Sequence, residues 1–157
     1  MSSSPGPTTH AAMDPFSIAT GVLGVLATAA TVIKFLDTVT STIKDAPKTI
    51  SWAQAEVRDV HSTIARLHDL FEHIQSVSDA VRGLVGVQDA AVAVSELVSS
   101  FDHLIDILGP FGVKDPTLLK TWDKAKWALR QDDVARAIVR IQTHKGSLTL
   151  MLNILQW

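Results

Sequence analysis

The 157-residue chain has no cysteine. That excludes a disulfide framework, a thiolate metal site and a cysteine nucleophile, and it is compatible with a reducing cytosol. The chain also lacks a charge balance suited to nucleic acid, since its formal net charge is −2. No GxxxxGK[ST] phosphate loop is present. Gly21 and Gly24 lie inside an apolar run instead of a strand-to-helix turn. No Ser/His/Asp set carries an elbow motif, and no stretch alternates in the way a strand requires. These absences point away from an enzyme. Wholesale disorder is also excluded, because 46% of residues are hydrophobic and 19% charged.

The longest absence is one of charge. From Phe16 to Ile33 the chain reads FSIATGVLGVLATAATVI, 18 residues without an ionisable group. At 1.5 Å per residue this helix would be about 27 Å long, close to the hydrocarbon thickness of a bilayer. Asp14 is placed as N-cap and Pro15 at the first helical position. Ile18, Val22, Val25, Ala29, Val32, Leu36, Val39 and Ile43 alternate in steps of four and three, which predicts one apolar stripe. Thr20, Gly21, Gly24, Thr28 and Thr31 form a second face of small residues. Such a face allows close helix approach in water or in lipid. The helix is expected to end near Lys44, before Asp45-Ala46-Pro47.

Residues 1–12, MSSSPGPTTHAA, read as a disordered tail or an added extension, with the folded domain spanning 13–157. They have no basic region of the kind that opens a secretory signal. A second helix is expected from about Pro47 to Ser76 on Ile50, Ala53, Val57, Val60, Ile64, Leu67, Phe71 and Ile74. A third runs from about Asp89 to Leu108 on Ala90, Val94, Leu97, Phe101, Leu104 and Leu108, stopped by Gly109-Pro110. Asp115-Pro116 is expected to open a fourth, carrying Leu118, Trp122, Ala125 and Leu129. Gln131-Asp132 would break it and start a fifth with Val134, Ile138, Ile141, Leu148, Met151, Leu152 and Leu155. That last helix has no C-cap signal, so the natural chain is expected to continue. The fold class is therefore all-α, an up-and-down bundle of four to five helices with a long apolar first helix.

The histidines offer little chemistry. His68/Glu72 and Asp69/His73 are i,i+4 pairs on one helix. A bundle di-metal site needs Glu-x-x-His on two helices, which this chain does not have, so no metal or other cofactor is expected. Trp122 and Trp127, five apart, would point about 140° from each other on one helix. One is expected in the core and one near its edge, and Lys124 and Lys126 beside them leave a membrane-interface reading open. Charge is unevenly spread. Residues 1–113 hold 6 Lys/Arg against 12 Asp/Glu, and residues 114–157 hold 8 against 4. A basic face solvated or paired within the fold accounts for that split, and so does an anionic surface or partner.

Met13-Asp14-Pro15-Phe16-Ser17-Ile18-Ala19-Thr20-Gly21, followed by an apolar helix, resembles the opening of HeLo-like domains. These stand at the front of fungal STAND proteins, the NLR-like receptors with a NACHT or NB-ARC engine. Lys126-Trp127-Ala128-Leu129 and His144-Lys145-Gly146-Ser147-Leu148-Thr149-Leu150 resemble that family's last helices, so the likeness runs from Met13 to Trp157. The resemblance implies a cell-death effector whose first helix enters membranes once the domain oligomerises. The mixed-lineage kinase-like necroptosis effector and plant coiled-coil NLRs are similar in architecture and role. It further implies a cytoplasmic protein that moves to the plasma membrane, triggered by or fused to an NLR-like receptor. The chain departs from the pattern in having no nucleotide-binding domain and no amyloid-type repeat. No acidic residue lies between Asp14 and Asp37, which favours a nonselective leak over a selective pore.

Under this reading Phe16, Ile18, Val22, Leu23, Val25, Leu26, Val32 and Ile33 are the membrane-insertion residues. Lys120, Lys124, Lys126, Arg130, Arg136 and Arg140 are candidates to hold anionic lipid headgroups. The partners expected are anionic membrane lipids and further copies of the chain. The alternative is a helical signalling adaptor that binds itself or another helix, with the first helix simply part of the core. The exposure of residues 16–33 in the folded state separates the two.

Overall fold

A computed structural model of the protein describes residues 15–75 and 87–155. Four long helices carry the fold: α1 (Pro15–Thr42), α2 (Lys48–Gln75), α3 (Val87–Leu108) and α4 (Lys124–Leu155). Two short 3-10 segments, Gly109–Phe111 and Pro116–Thr121, link α3 to α4. Among the described residues there is no strand, and the all-α bundle with a long apolar first helix is borne out.

Cross-helix contacts fix the directions. Asp37, late in α1, meets Gln54 and Arg58, early in α2, so these two helices are antiparallel. Glu96, early in α3, meets His144, late in α4, so that pair is antiparallel too. Glu56 and Asp59 of α2 meet Gln142 and Lys145 of α4 in the same order, which makes α2 and α4 parallel neighbours. Gly21 of α1 lies against Val94 of α3, both early in their helices. The helices therefore alternate up and down along the chain. α1 packs on α2 and α3, and α4 packs on the same two. α1 and α4 occupy opposite corners of the square, and α2 and α3 occupy the other two.

The stripes read from the sequence form the core. Val22, Val25, Ala29, Val32, Leu36 and Val39 of α1 are buried, as are Ile50, Ala53, Val57, Val60, Ile64 and Leu67 of α2. From α3 come Val94, Leu97, Phe101, Leu104 and Leu108. Steps of three and four keep each stripe on one side, the arrangement that lets near-antiparallel helices interdigitate. Ile18, Phe71, Ile74 and Ala90 belong to the expected stripes, but their side chains lie outside the described residues, as do the tail 1–12 and Ser76.

The helix ends have local causes. Asp45 adopts the left-handed conformation (φ 58°) just past α1, and Pro47 opens the next turn, its carbonyl accepting from Ile50 N at 3.0 Å. The chain leaves α3 through Gly112, at φ 109°, whose N–H donates to Gly109 O at 3.1 Å. A Cβ there would lie 3.0 Å from Asp115 O, so glycine is required both for its backbone angle and for its size.

The α3–α4 region corrects the sequence reading. Asp115 does start a helical turn, its carboxylate accepting from Thr117 N at 3.1 Å and from Thr117 Oγ1 at 2.6 Å. That turn is a 3-10 segment ending at Thr121. Asp123 caps the start of α4, its carboxylate accepting from Ala125 N at 2.8 Å. No break occurs at Gln131-Asp132. Gln131 accepts from Thr49 Oγ1 of α2 at 3.2 Å, and Asp133 pairs with Arg130 and Arg136 on its own helix, which supports the helix through that point. The expected stripe through Leu118, Trp122, Ala125 and Leu129 does not exist, and Leu129 is 81% exposed. The buried residues of α4 are Trp127, Val134, Ala137, Ile138, Ile141, Leu148 and Leu152 among the described residues. Trp127 is the core indole and Trp122, outside α4, the partly covered one. With Phe111 they form a triangle of rings with centroids 5.3 to 5.4 Å apart.

Candidate functional site: the outer face of the first helix

α1 presents two unlike faces. Its inner stripe is closed, with Val22 and Val32 fully buried. Its outer face, Thr20, Leu23, Gly24, Ala27, Ala30 and Thr31, is exposed and carries no charge. Leu23 is 52% exposed. A Cβ placed on Gly24 would meet nothing within 4 Å. Surface helices ordinarily turn charged residues outward. Here the first outward charge after Pro15 is Lys34.

Of the eight insertion residues read from the sequence, Val22, Val25 and Val32 are core, Leu26 and Ile33 are half-buried against it, and Leu23 faces outward. Phe16 and Ile18 fall in α1, but their side chains lie outside the described residues. The residues best suited to lipid are therefore mostly those that dock α1 in the bundle. Docking and insertion exclude each other. The stretch Thr20–Thr42 has a mean hydropathy of 1.7, and by length and composition it suffices to cross a membrane; 39% of its most apolar part is buried. A core helix of a soluble protein meets the same test.

From Gly21 to Leu36 the attachment of α1 is apolar among the described residues. Between Gly21 and Leu36, no α1 side chain makes a hydrogen bond or ion pair to another helix among the described residues. Thr28 Oγ1 donates to Gly24 O at 3.0 Å and Thr31 Oγ1 to Ala27 O at 3.1 Å, so both hydroxyl protons are satisfied inside the helix. The polar clamp comes later. Asp37 accepts from Arg58 Nη2 at 2.6 Å and also from Gln54. These two hydrogen bonds, Arg58 first, hold the Asp37 carboxyl below the usual carboxylate range. α2 and α4, by contrast, share three polar ties among the described residues: Thr49 with Gln131, Glu56 with Gln142, and Asp59 with Lys145.

The six candidate headgroup residues are all exposed. Arg130 and Arg136 are shared with Asp133, at 3.4 and 2.5 Å, and the guanidinium of Arg136 in particular keeps the Asp133 carboxyl below its ordinary range. Lys120, Lys124, Lys126 and Arg140 have no ion-pair partner among the described residues. The structure does not bring the six onto the α1 face. Arg130, Arg136 and Arg140 sit on α4, diagonally opposite α1. Lys120, Lys124 and Lys126 sit at the pole where α1 ends, away from Phe16. The sequence reading also missed Lys34 and Lys114, which both line a groove at that same pole.

His68 lies 3.4 Å from Glu72 on the half-exposed side of α2, and among the described residues no cluster of His, Asp and Glu is arranged to hold a metal. Compared with protein families, with curated proteins and with solved structures, the chain matches none.

Proposed function

We propose that the chain is a HeLo-like effector domain that acts on membranes by releasing its first helix, as the N-terminal module of an NLR-like cell-death receptor. The observation that carries this reading is the combination found in α1. Its outer face is uncharged from Thr20 to Ile33, and its one polar attachment in the described residues from Gly21 onward lies at Asp37, beyond that stretch.

In the resting bundle Val22, Val25 and Val32 are buried, each worth roughly 1.5–3 kcal/mol. Lipid offers the same side chains an equivalent apolar environment, and assembly with further copies would supply the cover for the apolar faces of α2 and α3 that α1 leaves behind. The internally bonded Thr28 and Thr31 remove two donors that hydrocarbon would otherwise leave unsatisfied. Lys34 would mark the interfacial end of the inserted segment, with Lys120, Lys124 and Lys126 at the same pole to meet anionic headgroups. On this reading the protein waits in the cytoplasm, oligomerises when its receptor fires, and opens a nonselective leak at the plasma membrane.

The test is dye leakage from anionic liposomes. Leu23→Glu with Ala27→Glu charges the exposed face and leaves the core untouched, so the fold is expected to survive by circular dichroism. The parent is expected to release dye and the double variant to lose most of that activity. Equal leakage from both would sink the membrane reading. Self-association without any leakage would move the domain to the adaptor class.

A further inference from the structure

One groove remains outside that reading. It lies between the C-terminal half of α1 and the loop from Gly112 to Leu119, and it encloses about 270 Å³. Its floor is apolar, built from Phe35, Val113 and Leu119. Lys34 stands on one bank and Lys114 on the other. Both ammonium groups are exposed, and neither has an ion-pair partner among the described residues. The nearby carboxylates are already engaged. Asp37 is held by Arg58 and Gln54, and Asp115 caps its own turn through Thr117. The hydroxyls of Thr31 and Thr38 lend no donor, since each donates to its own helix, at Ala27 O and Lys34 O. The groove therefore combines two lysines without an ion-pair partner among the described residues with a greasy floor.

We propose that this groove binds a single-chain anionic amphiphile, with its phosphate or carboxylate head between Lys34 and Lys114 and its chain over Phe35, Val113 and Leu119. The charge pair selects an anion, and the floor selects an alkyl tail over a bare ion. The volume, about 270 Å³, lies just under the range for small-molecule sites, which fits one chain and not two. One bank belongs to α1 and the other to the loop. An occupant is held on both sides only while α1 is docked, so binding stabilises the docked bundle. The binding itself does not depend on α1 entering a bilayer. A leakage assay that fails leaves the titration below intact, and the reverse also holds.

The experiment is a titration of the full 157-residue chain with decyl phosphate below its micelle concentration. It is followed by thermal unfolding and by amide chemical shifts. A saturable rise in Tm of about 3–6 °C is expected at ten times the Kd. The shift changes should map to Thr31–Thr38 and Gly112–Leu119. Decyl maltoside and inorganic phosphate are each expected to bind at least about tenfold more weakly. Lys34→Met with Lys114→Met keeps the aliphatic stems and should abolish the Tm rise while leaving the circular dichroism unchanged. An equal response to decyl maltoside would overturn the role of charge, and an equal response to inorganic phosphate would overturn the role of the tail. A lowered Tm, binding retained in the double variant, or shifts centred elsewhere would overturn the site. Binding seen only with anionic vesicles would assign the lysines to a bilayer surface and overturn the soluble amphiphile.

Discussion

Arg58 of α2 donates to Asp37 of α1 across 2.6 Å, and Gln54, one turn earlier on α2, donates to the same carboxylate oxygen. This cluster pins the C-terminal third of α1 to its neighbour, while among the described residues the stretch from Gly21 to Leu36 is held by apolar packing. Both charged partners are about half exposed, so water screens the pair and its worth is on the scale of an exposed ion pair, about 0.2–1 kcal/mol. Asp37→Asn is expected to lower stability by that amount. Its local effect should be larger than its global one. Amide exchange in α1 from Val25 to Val39 should quicken, while Val57 to Ile64 of α2 keeps its protection. Uniform acceleration across all four helices would show that the clamp does not act on α1 in particular.

The same carboxylate sets an acid response. Its folded-state pKa lies below the unfolded value of about 3.9. The clamp is therefore fully present above pH 4 to 5 and is lost as pH falls through the folded pKa. Between pH 7 and 5 the midpoint of unfolding should not change on account of Asp37. Below about pH 4 it should fall, and less steeply in Asp37→Asn than in the parent. Tm measured against pH for the two proteins checks this, and parallel curves down to pH 2 would remove Asp37 from the account.

How legible all this was differs by region. The α1 stripe from Val22 to Val39 could be read because its spacing of three and four is a local property of the chain. The start of α4 could not, because two Asp signals compete there. Asp115-Pro116 looks the stronger, yet its turn stays 3-10, and Asp123 with its own acceptor two residues before Ala125 begins the long helix. Leu129 and Val139, both exposed, add apolar residues to the outer face of α4 and blur its period. The Asp37 clamp had a readable trace, a lone acid in α1 facing Gln54 and Arg58 four apart. The Lys34–Lys114 groove had none, since the two lysines stand 80 positions apart in the chain and only the fold brings them to one groove.

The two glycines of α1 should respond to substitution with opposite signs. A Cβ on Gly21 would lie 3.0 Å from Val94 Cγ1, tighter than ordinary contact, and a longer side chain would drive α1 away from α3. Gly21→Leu is expected to cost about 1–3 kcal/mol by overpacking. Gly24 faces open space, so Gly24→Ala should gain roughly 0.8–1 kcal/mol from helix propensity. Denaturant midpoints measure both. On the release reading Gly21→Leu should also raise dye leakage and Gly24→Ala should lower it, because one loosens the docked helix and the other stiffens it. Two variants of equal stability would contradict the α1–α3 contact itself.

The aromatic triangle offers a last asymmetry. Both indole N–H groups, on Trp122 and Trp127, are buried and have no hydrogen-bond partner among the described residues. An unmet donor of this kind costs about 1–3 kcal/mol, so part of what each ring gains by burial is offset. Trp122 is only partly covered, and its ring meets Phe111 and Trp127 at 5.4 Å. A phenyl ring there keeps much of the contact and removes the donor. Trp122→Phe is therefore expected to be neutral or stabilising by up to about 1 kcal/mol. Trp127 is the largest fully buried side chain of the core, and Trp127→Ala should cost about 3–5 kcal/mol by opening a cavity under α4. Chemical denaturation of the two variants decides the matter. A large loss in Trp122→Phe would mean that its N–H is bonded after all, and that this pole of the bundle is held by a polar contact and not by ring packing alone.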